Sequence, residues 1–215
     1  MKLRTQQITQ EFYQLHPDLL FLQEALSKAL GLLLEAFRAG GKLLICGNGG
    51  SSADSEHIVG ELMKGFLLKR PLPEEQKARF AAAFGADGAQ MAEHLQGALP
   101  AVSLSAHTAL GTAFSNDVDP GLVFAQQVIG YARPVDVLLG ISTSGNSKNV
   151  CAAAMAARVC GAKVIALTGQ GGGDLAALAD CALAAPETRT FRVQEDHLAM
   201  YHYLCAAVES ELFDV

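Results

Sequence analysis

The sequence predicts an α/β fold: a doubly wound, mainly parallel sheet flanked by helices, with an N-terminal helical extension. Short apolar runs alternate with longer helical patterns along the 215 residues, and strands that alternate with helices form a parallel sheet covered on both faces. Half of the residues are hydrophobic and 18% are charged, so a large core can be buried. Because no linker or low-complexity stretch divides the chain, we expect a single domain over residues 1–215.

The N-terminal extension, residues 1–40, is predicted to contain two helices. Its apolar residues recur at helical spacing. His16-Pro17 interrupts the pattern, because a residue before proline disfavours the helical region. Gly40-Gly41 ends the second helix, and the first strand begins at Lys42.

Beyond the extension, strand and helix patterns alternate to the end of the chain. We predict strands at residues 42–46, 100–104, 136–141, 163–168 and 181–185. We predict helices at residues 52–68, 74–95, 107–115, 119–131, 146–160, 173–178 and 191–213. In such a sheet, ligands bind outside the carboxyl ends of the strands, at the point where the strand order reverses.

Charge, hydropathy and cysteine usage exclude several classes of protein. The formal net charge is −6 without a Lys/Arg-rich block, whereas nucleic-acid binding normally needs a clustered basic face. No apolar stretch reaches membrane-spanning length, and the N-terminus lacks the apolar core of a signal peptide. The five cysteines are scattered and form no CxxC pair, which indicates free thiols in a reducing compartment. We therefore expect a soluble cytoplasmic protein with no nucleic-acid or membrane partner.

Two strand-to-helix junctions carry the strongest functional signal. Residues 46–52 read Cys-Gly-Asn-Gly-Gly-Ser-Ser, and residues 141–147 read Ile-Ser-Thr-Ser-Gly-Asn-Ser. Such turns present backbone N–H groups and hydroxyls at the positive end of a helix, which suits an anionic group. Both junctions lie at carboxyl ends of predicted strands, so they can face one crevice. Two such turns suggest a ligand with a phosphate at one end and hydroxyls along its length, and a phosphorylated sugar fits that description.

His57 and Glu61 are the first candidates for chemistry. They lie four residues apart on a predicted helix and so share one face. They suit a shared divalent metal or a proton-transfer pair, and an exposed polar face is the alternative. On the last helix, His202 lies in an apolar run, where a lone histidine is more often a core residue than a ligand. His94 and His107 lack suitable partners, and we treat both as structural.

The glycine-rich residues 168–173 do not match a nucleotide-binding motif. Asp174 stands where the G-x-G-x-x-G pattern needs its third glycine, and no acidic residue follows at the expected distance. Neither junction ends in Gly-Lys-Ser/Thr, so the Walker A pattern is also absent. We therefore expect neither NAD nor ATP, and we interpret residues 168–173 as a turn before the next helix.

Six motifs occur in a fixed order along the chain. They are Cys46-Gly47-Asn48-Gly49-Gly50-Ser51, His57-x-x-x-Glu61, Asn116-Asp117, the run from Asp136 to Ser147, Ala166-Leu167-Thr168-Gly169 and Gln194-Glu195-x-His197. Together they resemble the sugar isomerase (SIS) domain and, within it, the phosphoheptose isomerases, which act on sedoheptulose 7-phosphate. The resemblance covers residues 15–70 and 98–213. It leaves residues 72–97 as an inserted helical segment that would cover the crevice, extend an interface or alter the preference for sugar length.

The resemblance implies a substrate site and a metal site. It implies substrate contacts from Asn48, Gly49, Gly50, Ser51, Asn116, Asp117, Ser142, Thr143, Ser144, Ser147 and Gln194. It implies a zinc site (Zn²⁺) from His57, Glu61, Gln194 and His202. The second junction would then grip the phosphate, and the first would orient the sugar.

The resemblance also implies a reaction and an assembly. A ketose phosphate would become an aldose phosphate through an enediol, with Glu61 as the base at carbon, His202 as the acid and base at oxygen, and a metal polarising the carbonyl. The family's homotetramer has its sites near subunit contacts. Gln194 and His202 are eight residues apart, about 12 Å along an ideal helix. Either the helix begins after Gln194 or the site is shared between subunits, and the homotetramer favours the second.

Two other functions stay open at this point. One is a non-catalytic SIS protein that binds a partner protein, as the replication-initiation regulator of the family does; the other is an isomerase of a different sugar phosphate. The presence of both Glu61 and His202 favours the enzyme. Lys64-Gly65 stands where the resemblance leads us to expect an arginine, so we expect the serine loop to bind most of the phosphate, with Lys64 or Arg70 assisting.

Overall fold

A parallel sheet of five strands forms the centre of the molecule, whose computed structural model describes residues 1–213. The strands are β1 (Leu43–Cys46), β2 (Ala101–Ser103), β3 (Val137–Ser142), β4 (Lys163–Thr168) and β5 (Cys181–Ala184). The α-helices are α1 (Leu3–Leu15), α2 (Gln23–Arg38), α3 (Gly50–Met63), α4 (Glu74–His94), α5 (Thr108–Asp117), α6 (Val123–Tyr131), α7 (Lys148–Val159), α8 (Gly173–Leu178) and α9 (Thr190–Leu212). Short 3-10 helices span Pro17–Leu22 and Pro120–Leu122.

The order of the strands confirms the predicted doubly wound α/β class. The order is β2-β1-β3-β4-β5, and every pairing is parallel. The winding reverses at β1, because β2 lies on one side of it and β3 on the other. Cys46 at the end of β1 pairs with Gly140 of β3, so the two strands end at the same edge of the sheet. This edge is the switch point where doubly wound folds bind ligands.

Alternate strand residues enter two separate cores. On β3, Val137, Leu139 and Ile141 pack with residues of α1, α2, α3 and α9 on one face of the sheet. Leu138 packs with residues of α6, α7 and α8 on the other face. Each fully buried aliphatic side chain contributes roughly 1.5–3 kcal/mol. This burial holds α3 and α9, the helices that carry His57, Glu61, Gln194 and His202, firmly against the sheet.

The third helix, α3, ends at Met63 and does not continue to residue 68 as predicted. The backbone N–H groups of residues 66–68 donate to the carboxylate of Glu209 on α9. These N–H groups therefore bond to α9 and not to carbonyls one turn earlier in α3, so the segment after Met63 is held against α9. A contact between residues about 140 positions apart is invisible to local periodicity.

Two other predicted helices open with a tighter turn. The helix expected after His16 begins as the 3-10 helix Pro17–Leu22, and the helix expected at 119–131 begins as Pro120–Leu122. Proline has no N–H to donate and suits the first turn of a helix. At the second of these starts, Asp119 also caps the turn by accepting the backbone N–H of Gly121 at 2.7 Å.

Residues 74–94 form a helical hairpin, and the prediction of one continuous helix there was wrong. Gly85 has a φ of +60°, in the left-handed region that favours glycine, and the chain reverses at this point. Lys77 Nζ lies 3.2 Å from a carboxylate oxygen of Glu93, although a straight helix would separate these residues by about 24 Å. No residue of the hairpin belongs to either described core, and Phe84 is 67% exposed. The hairpin therefore projects from the sheet.

Two further expectations concern the cysteines and the membrane. All five cysteines are free; four are buried and Cys160 is half-buried, which confirms the prediction of unpaired thiols. Within residues 1–213, none of the helices combines the length and the apolar character that a bilayer crossing requires.

Candidate functional site

The loop after β1 turns sharply beside α9. Gly49 has a φ of +56°, and a Cβ on Gly50 would overlap the side-chain amide of Gln194. No side chain caps the N-terminus of α3 that follows, so the positive end of the helix dipole is open to an anion. Asn48 is exposed on this turn, whereas Ser51 is buried beneath it.

The loop after β3 is held by its own hydroxyl groups. Ser142 is buried, and its Oγ lies 2.9 Å from Ser147 Oγ. Ser144 is exposed, and its Oγ accepts the backbone N–H two residues later at 3.1 Å. Thr143 is half-buried, and Gly145 turns the chain with a φ of +69°. Ser144 is therefore the hydroxyl of this loop that faces solvent most openly.

A reciprocal amide pair joins the two loops. Asn48 Nδ2 donates to Asn149 Oδ1, and Asn149 Nδ2 donates to Asn48 Oδ1, both at 2.9 Å. Asn149 lies in the first turn of α7, directly after the second loop. Nothing in the sequence pattern singled out Asn149, because its role depends on a partner 101 residues away. The predicted junctions are thus one connected surface.

A cavity of about 690 Å³ opens beside the first loop. It lies between the loops after β1 and β2 and helix α5, and its lining includes Asn48, Gly49 and Asn116 of the predicted residues, together with Asn149. Several predicted residues are not part of its lining: Gly50, Ser51, Asp117, Ser142, Thr143, Ser144, Ser147 and Gln194. The first loop and α5 therefore line the cavity together, and only the amide pair connects the cavity to the second loop.

His107 is a further polar group on the wall of this cavity, and Asn116 of the wall pairs with its neighbour Asp117. The ring Nε2 of His107 is buried without a hydrogen-bond partner among the described residues. We interpreted His107 as structural because it has no partner at useful spacing, but its place four residues after β2 puts it at a third strand end, on the wall of the cavity. Asn116 and Asp117 are exposed at the end of α5, where Asn116 Nδ2 donates to Asp117 Oδ1 at 2.8 Å.

A second group of predicted residues meets where α3 contacts α9. His57 Nε2 lies 3.2 Å from Glu61 Oε1 and 3.4 Å from His202 Nε2. The Glu61 side chain is 14% exposed, and the His57 side chain is 44% exposed, so the group is accessible from one side. We name these three side chains the His-Glu cluster. It is separate from the cavity beside the first loop.

The donor atoms of the His-Glu cluster are of the kinds that bind zinc. Donors around a tetrahedral Zn²⁺ at 2.0–2.1 Å lie about 3.3 Å apart, close to the two separations seen here. The side chains nevertheless contact one another directly, and no group of three or more His, Cys, Asp or Glu residues in the range 1–213 is arranged as a ready metal site. The donor types fit zinc in chemistry, and side-chain movement must open room before the three groups could surround an ion.

Gln194 does not join the His-Glu cluster. The last helix runs without a break over Thr190–Leu212, so the alternative in which the helix begins after Gln194 is wrong. Gln194 instead packs against Gly50 at the start of α3, whereas His57 follows two turns later. Within one subunit, the amide of Gln194 belongs to the first loop and the imidazole of His202 to the His-Glu cluster.

A buried tyrosine and a half-buried aspartate support the cluster from behind. Tyr201 is 2% exposed; its hydroxyl donates to Asp54 Oδ1 at 3.2 Å and lies 3.0 Å from His57 Nδ1. Burial raises the pKa of Asp54, and burial followed by the charge of Asp54 raises the pKa of Tyr201. Burial and then His57 lower the pKa of His202, against the opposing effect of Glu61. A neutral His202 imidazole is therefore favoured at neutral pH.

The two cations proposed to assist phosphate binding have different surroundings. Arg70 is 1% exposed, and its Nε donates to Glu209 at 2.7 Å while Nη1 donates to the carbonyl of Leu62. It is fully committed to the interior, so the prediction that Arg70 contacts phosphate was wrong. Lys64 is exposed, and its Nζ lies 3.4 Å from Glu61 Oε2, beside the His-Glu cluster.

Known sequences provide relatives over most of this chain. The SIS domain family model matches residues 20–103 and 78–169. A phosphoheptose isomerase of Rhodospirillum rubrum is 39% identical over 188 residues, which is 87% of this chain and 86% of the relative. A phosphoheptose isomerase of Helicobacter pylori is 40% identical over 188 residues, which is 87% of this chain and 84% of the relative.

Solved structures show the same architecture. A phosphoheptose isomerase from Neisseria gonorrhoeae matches with a TM-score of 0.72 at 35% identity, over 96% of this chain and 93% of that chain. A phosphoheptose isomerase from Francisella tularensis matches with a TM-score of 0.71 at 30% identity, over 87% of this chain and 86% of that chain.

Proposed function

We propose a reaction for this chain from one premise: it belongs to the phosphoheptose isomerase family of SIS domain proteins. The chain is accordingly an isomerase. Its proposed substrate is sedoheptulose 7-phosphate, which it converts to D-glycero-D-manno-heptose 7-phosphate. The substrate is a phosphorylated ketose with a chain of hydroxyl groups, the ligand chemistry that the two polar loops suit.

The observation that carries this proposal is the convergence of Glu61 and His202 on His57. A ketose–aldose isomerisation needs one group that moves a proton between carbons 1 and 2 and another that moves a proton between their oxygens. A carboxylate suits the first task and a neutral imidazole the second. Glu61 and His202 supply both groups at one place, with Glu61 only 14% exposed.

Each group then has one role in the proposed reaction. Glu61 removes the proton from carbon 1 of the ketose and returns it to carbon 2 of the enediol. His202 gives a proton to the oxygen on carbon 2 and takes one from the oxygen on carbon 1. The loop after β3 and the helix N-termini bind the phosphate, while Asn48 and Asn116 bind hydroxyl groups.

Zinc is part of the proposal, held by His57, Glu61 and His202. When bound, the ion polarises the substrate carbonyl and stabilises the enediolate. The support is the identity of the three donors and their spacing of 3.2 and 3.4 Å. Lys64 lies close enough to Glu61 to add positive charge at the same place.

We also propose that the working enzyme is a cytoplasmic homotetramer with sites shared between subunits. In one subunit the sugar-binding cavity beside the first loop is separate from the His-Glu cluster, and Gln194 belongs to the loop. A neighbouring copy that brings its first loop against the cluster would unite the two halves. We therefore expect an isolated subunit to be inactive, and an active protein shown to be monomeric would contradict this.

One assay tests the reaction. Purified protein is incubated with sedoheptulose 7-phosphate, with and without Zn²⁺, beside the variants Glu61→Gln and His202→Ala. We expect each variant to lower kcat by about 10²–10⁴-fold, the usual contribution of a positioned acid or base. Glu93→Gln and His94→Ala are matched controls, because they change the same residue types on the projecting hairpin and should leave turnover unchanged.

The same assay separates the alternatives. Wild-type protein that binds the sugar phosphate without converting it would favour the non-catalytic regulator. Conversion of another sugar phosphate at a higher kcat/KM would keep the chemistry and change the substrate. Full turnover by either Glu61→Gln or His202→Ala would overturn the assignment of that residue.

A further inference from the structure

The groups behind His57 form a continuous chain of hydrogen bonds. Asp54, His57 and Glu61 follow one face of α3 at spacings of three and four residues. Tyr201 precedes His202 on α9, and its hydroxyl lies between Asp54 Oδ1, at 3.2 Å, and His57 Nδ1, at 3.0 Å. Tyr201 is buried, so its hydroxyl must find its partners within the protein.

With Asp54 ionised, the single proton of the Tyr201 hydroxyl sets the direction of the hydrogen bonds in this chain. A tyrosine hydroxyl has one proton to donate, and Tyr201 donates it to the acceptor Asp54. The hydroxyl oxygen can then only accept from the other neighbour, His57. His57 therefore carries a proton on Nδ1, and its other ring nitrogen, Nε2, is the one that exchanges protons or binds a cation.

We propose that Asp54 and Tyr201 are positioning residues that hold the proton of His57 on Nδ1 and so direct the Nε2 lone pair at Glu61 and His202. Nε2 then lies 3.2 Å from a carboxylate oxygen and 3.4 Å from a second imidazole nitrogen. Bare lone pairs on all three atoms would repel one another at these separations, so either His202 donates its own Nε2–H to His57 or a cation is shared among the three atoms.

This arrangement explains why the cluster would hold zinc. A histidine that binds a metal through one ring nitrogen normally donates the N–H of the other to a fixed acceptor, and loss of that acceptor lowers metal affinity about 10–100-fold. The inference deepens the proposed function and rests on it for the identity of the cation. The position of the Nδ1 proton depends on the protein alone.

The first test locates the proton in the metal-free protein. The chain has six histidines, and ¹⁵N-histidine labelling with long-range ¹H–¹⁵N correlation distinguishes a protonated ring nitrogen from a bare one; His57→Gln assigns the signal. We expect a protonated Nδ1 in wild type and in Asp54→Asn, whose amide oxygen still accepts from Tyr201. In Asp54→Ala we expect the proton to move to Nε2, because the Tyr201 hydroxyl turns to donate to Nδ1.

The second test measures Zn²⁺ affinity by calorimetry. Tyr201→Phe and Asp54→Ala should bind Zn²⁺ about 10–100-fold more weakly than wild type, and Asp54→Asn should stay close to wild type. Tyr203→Phe is the matched control: it removes a hydroxyl from the same helix, where its partner is Thr9 Oγ1 at 3.1 Å. Circular dichroism of each variant verifies that the fold is intact.

The outcomes separate this inference from the proposed function. A wild-type His57 with a bare Nδ1 overturns the inference, and so does a folded Tyr201→Phe protein that binds Zn²⁺ as tightly as wild type and Tyr203→Phe. A wild-type protein that neither binds Zn²⁺ nor isomerises the sugar phosphate overturns the proposed function, and the proton on His57 then still decides the inference by itself.

Discussion

At the scale of single residues, His197 differs from its neighbour His202 in both surroundings and role. It is fully buried on the sheet side of α9, where Nε2 lies 3.0 Å from the carbonyl of Thr168 and Nδ1 has no partner within the described chain. Burial lowers its pKa to about 4, although the hydrogen bond to Thr168 acts in the opposite direction. His197 is thus a neutral core histidine that packs against the end of β4.

This environment predicts a pH dependence of stability. The folded pKa of His197 lies below the unfolded value of about 6.5, so between pH 4 and 6.5 the unfolded chain binds more protons than the folded one. Stability is therefore complete above about pH 6.5 and falls as the pH decreases toward 4. At pH 4.5 the loss should reach roughly 2–3 kcal/mol.

Urea denaturation at pH 7 and pH 4.5 measures this effect. In His197→Gln the amide can still donate to the Thr168 carbonyl, but it does not titrate. The fall in the free energy of unfolding between the two pH values should therefore be smaller by roughly 2–3 kcal/mol than in wild type. Equal falls in the two proteins would show that His197 does not titrate as described.

At the scale of elements, Glu209 organises the connection between α3 and the hairpin. Its carboxylate accepts three backbone N–H groups from residues 66–68 and the Nε of Arg70. Arg70 in turn donates to the carbonyls of Leu62 and Glu61 at the end of α3. The pair therefore fixes the last turn of the helix that carries Glu61.

The variant Arg70→Met tests how much the ion pair of Arg70 and Glu209 contributes to the free energy of unfolding. Both side chains are fully buried, and removal of one partner from a buried ion pair costs about 3–5 kcal/mol, because it leaves the other charge unpaired. We expect a loss near the lower limit, since Glu209 keeps its three backbone donors. Chemical denaturation gives the value.

Arg79→Met is the matched control for that experiment. Arg79 pairs with Glu75 on the surface of the hairpin, where both side chains are more than 70% exposed. Such pairs contribute about 0–1 kcal/mol. A similar small loss for Arg70→Met would show that the buried pair does not stabilise the fold.

Elements were predictable where the information is local. The strands and both polar junctions were found because apolar runs, glycines and hydroxyls stand next to each other in the sequence. The hairpin was missed because a single glycine, Gly85, is compatible with a helix until the second arm packs against the first. The end of α3 and the roles of Tyr201 and Asn149 depend on partners more than 100 residues away, which no spacing rule reveals.

At the scale of the whole molecule, the separation of Gln194 from the His-Glu cluster predicts complementation between subunits. If the proposed homotetramer forms, the Glu61→Gln protein and the Gln194→Ala protein should each be strongly impaired. If Gln194 serves the cluster of a neighbouring copy, random mixed tetramers made by co-refolding regain intact sites. About a quarter of the sites in an equal mixture then carry both native residues.

Recovered kcat in the mixture, relative to each parent, measures this effect. A mixture of Glu61→Gln with His202→Ala is the matched control, because these two residues lie in one cluster of a single subunit and should not complement. Failure of the first mixture with both proteins tetrameric would place the whole site within one chain.

The amide pair between Asn48 and Asn149 has a consequence for how a ligand enters and leaves. The pair fixes one wall of the 690 Å³ cavity, because each of the two loops that it joins directly follows a buried strand of the sheet. Helix α5 forms another wall of the cavity and has no buried residue. Displacing α5 would uncover none of its own buried residues, so we expect this helix to move more easily than the two loops when a ligand enters or leaves the cavity.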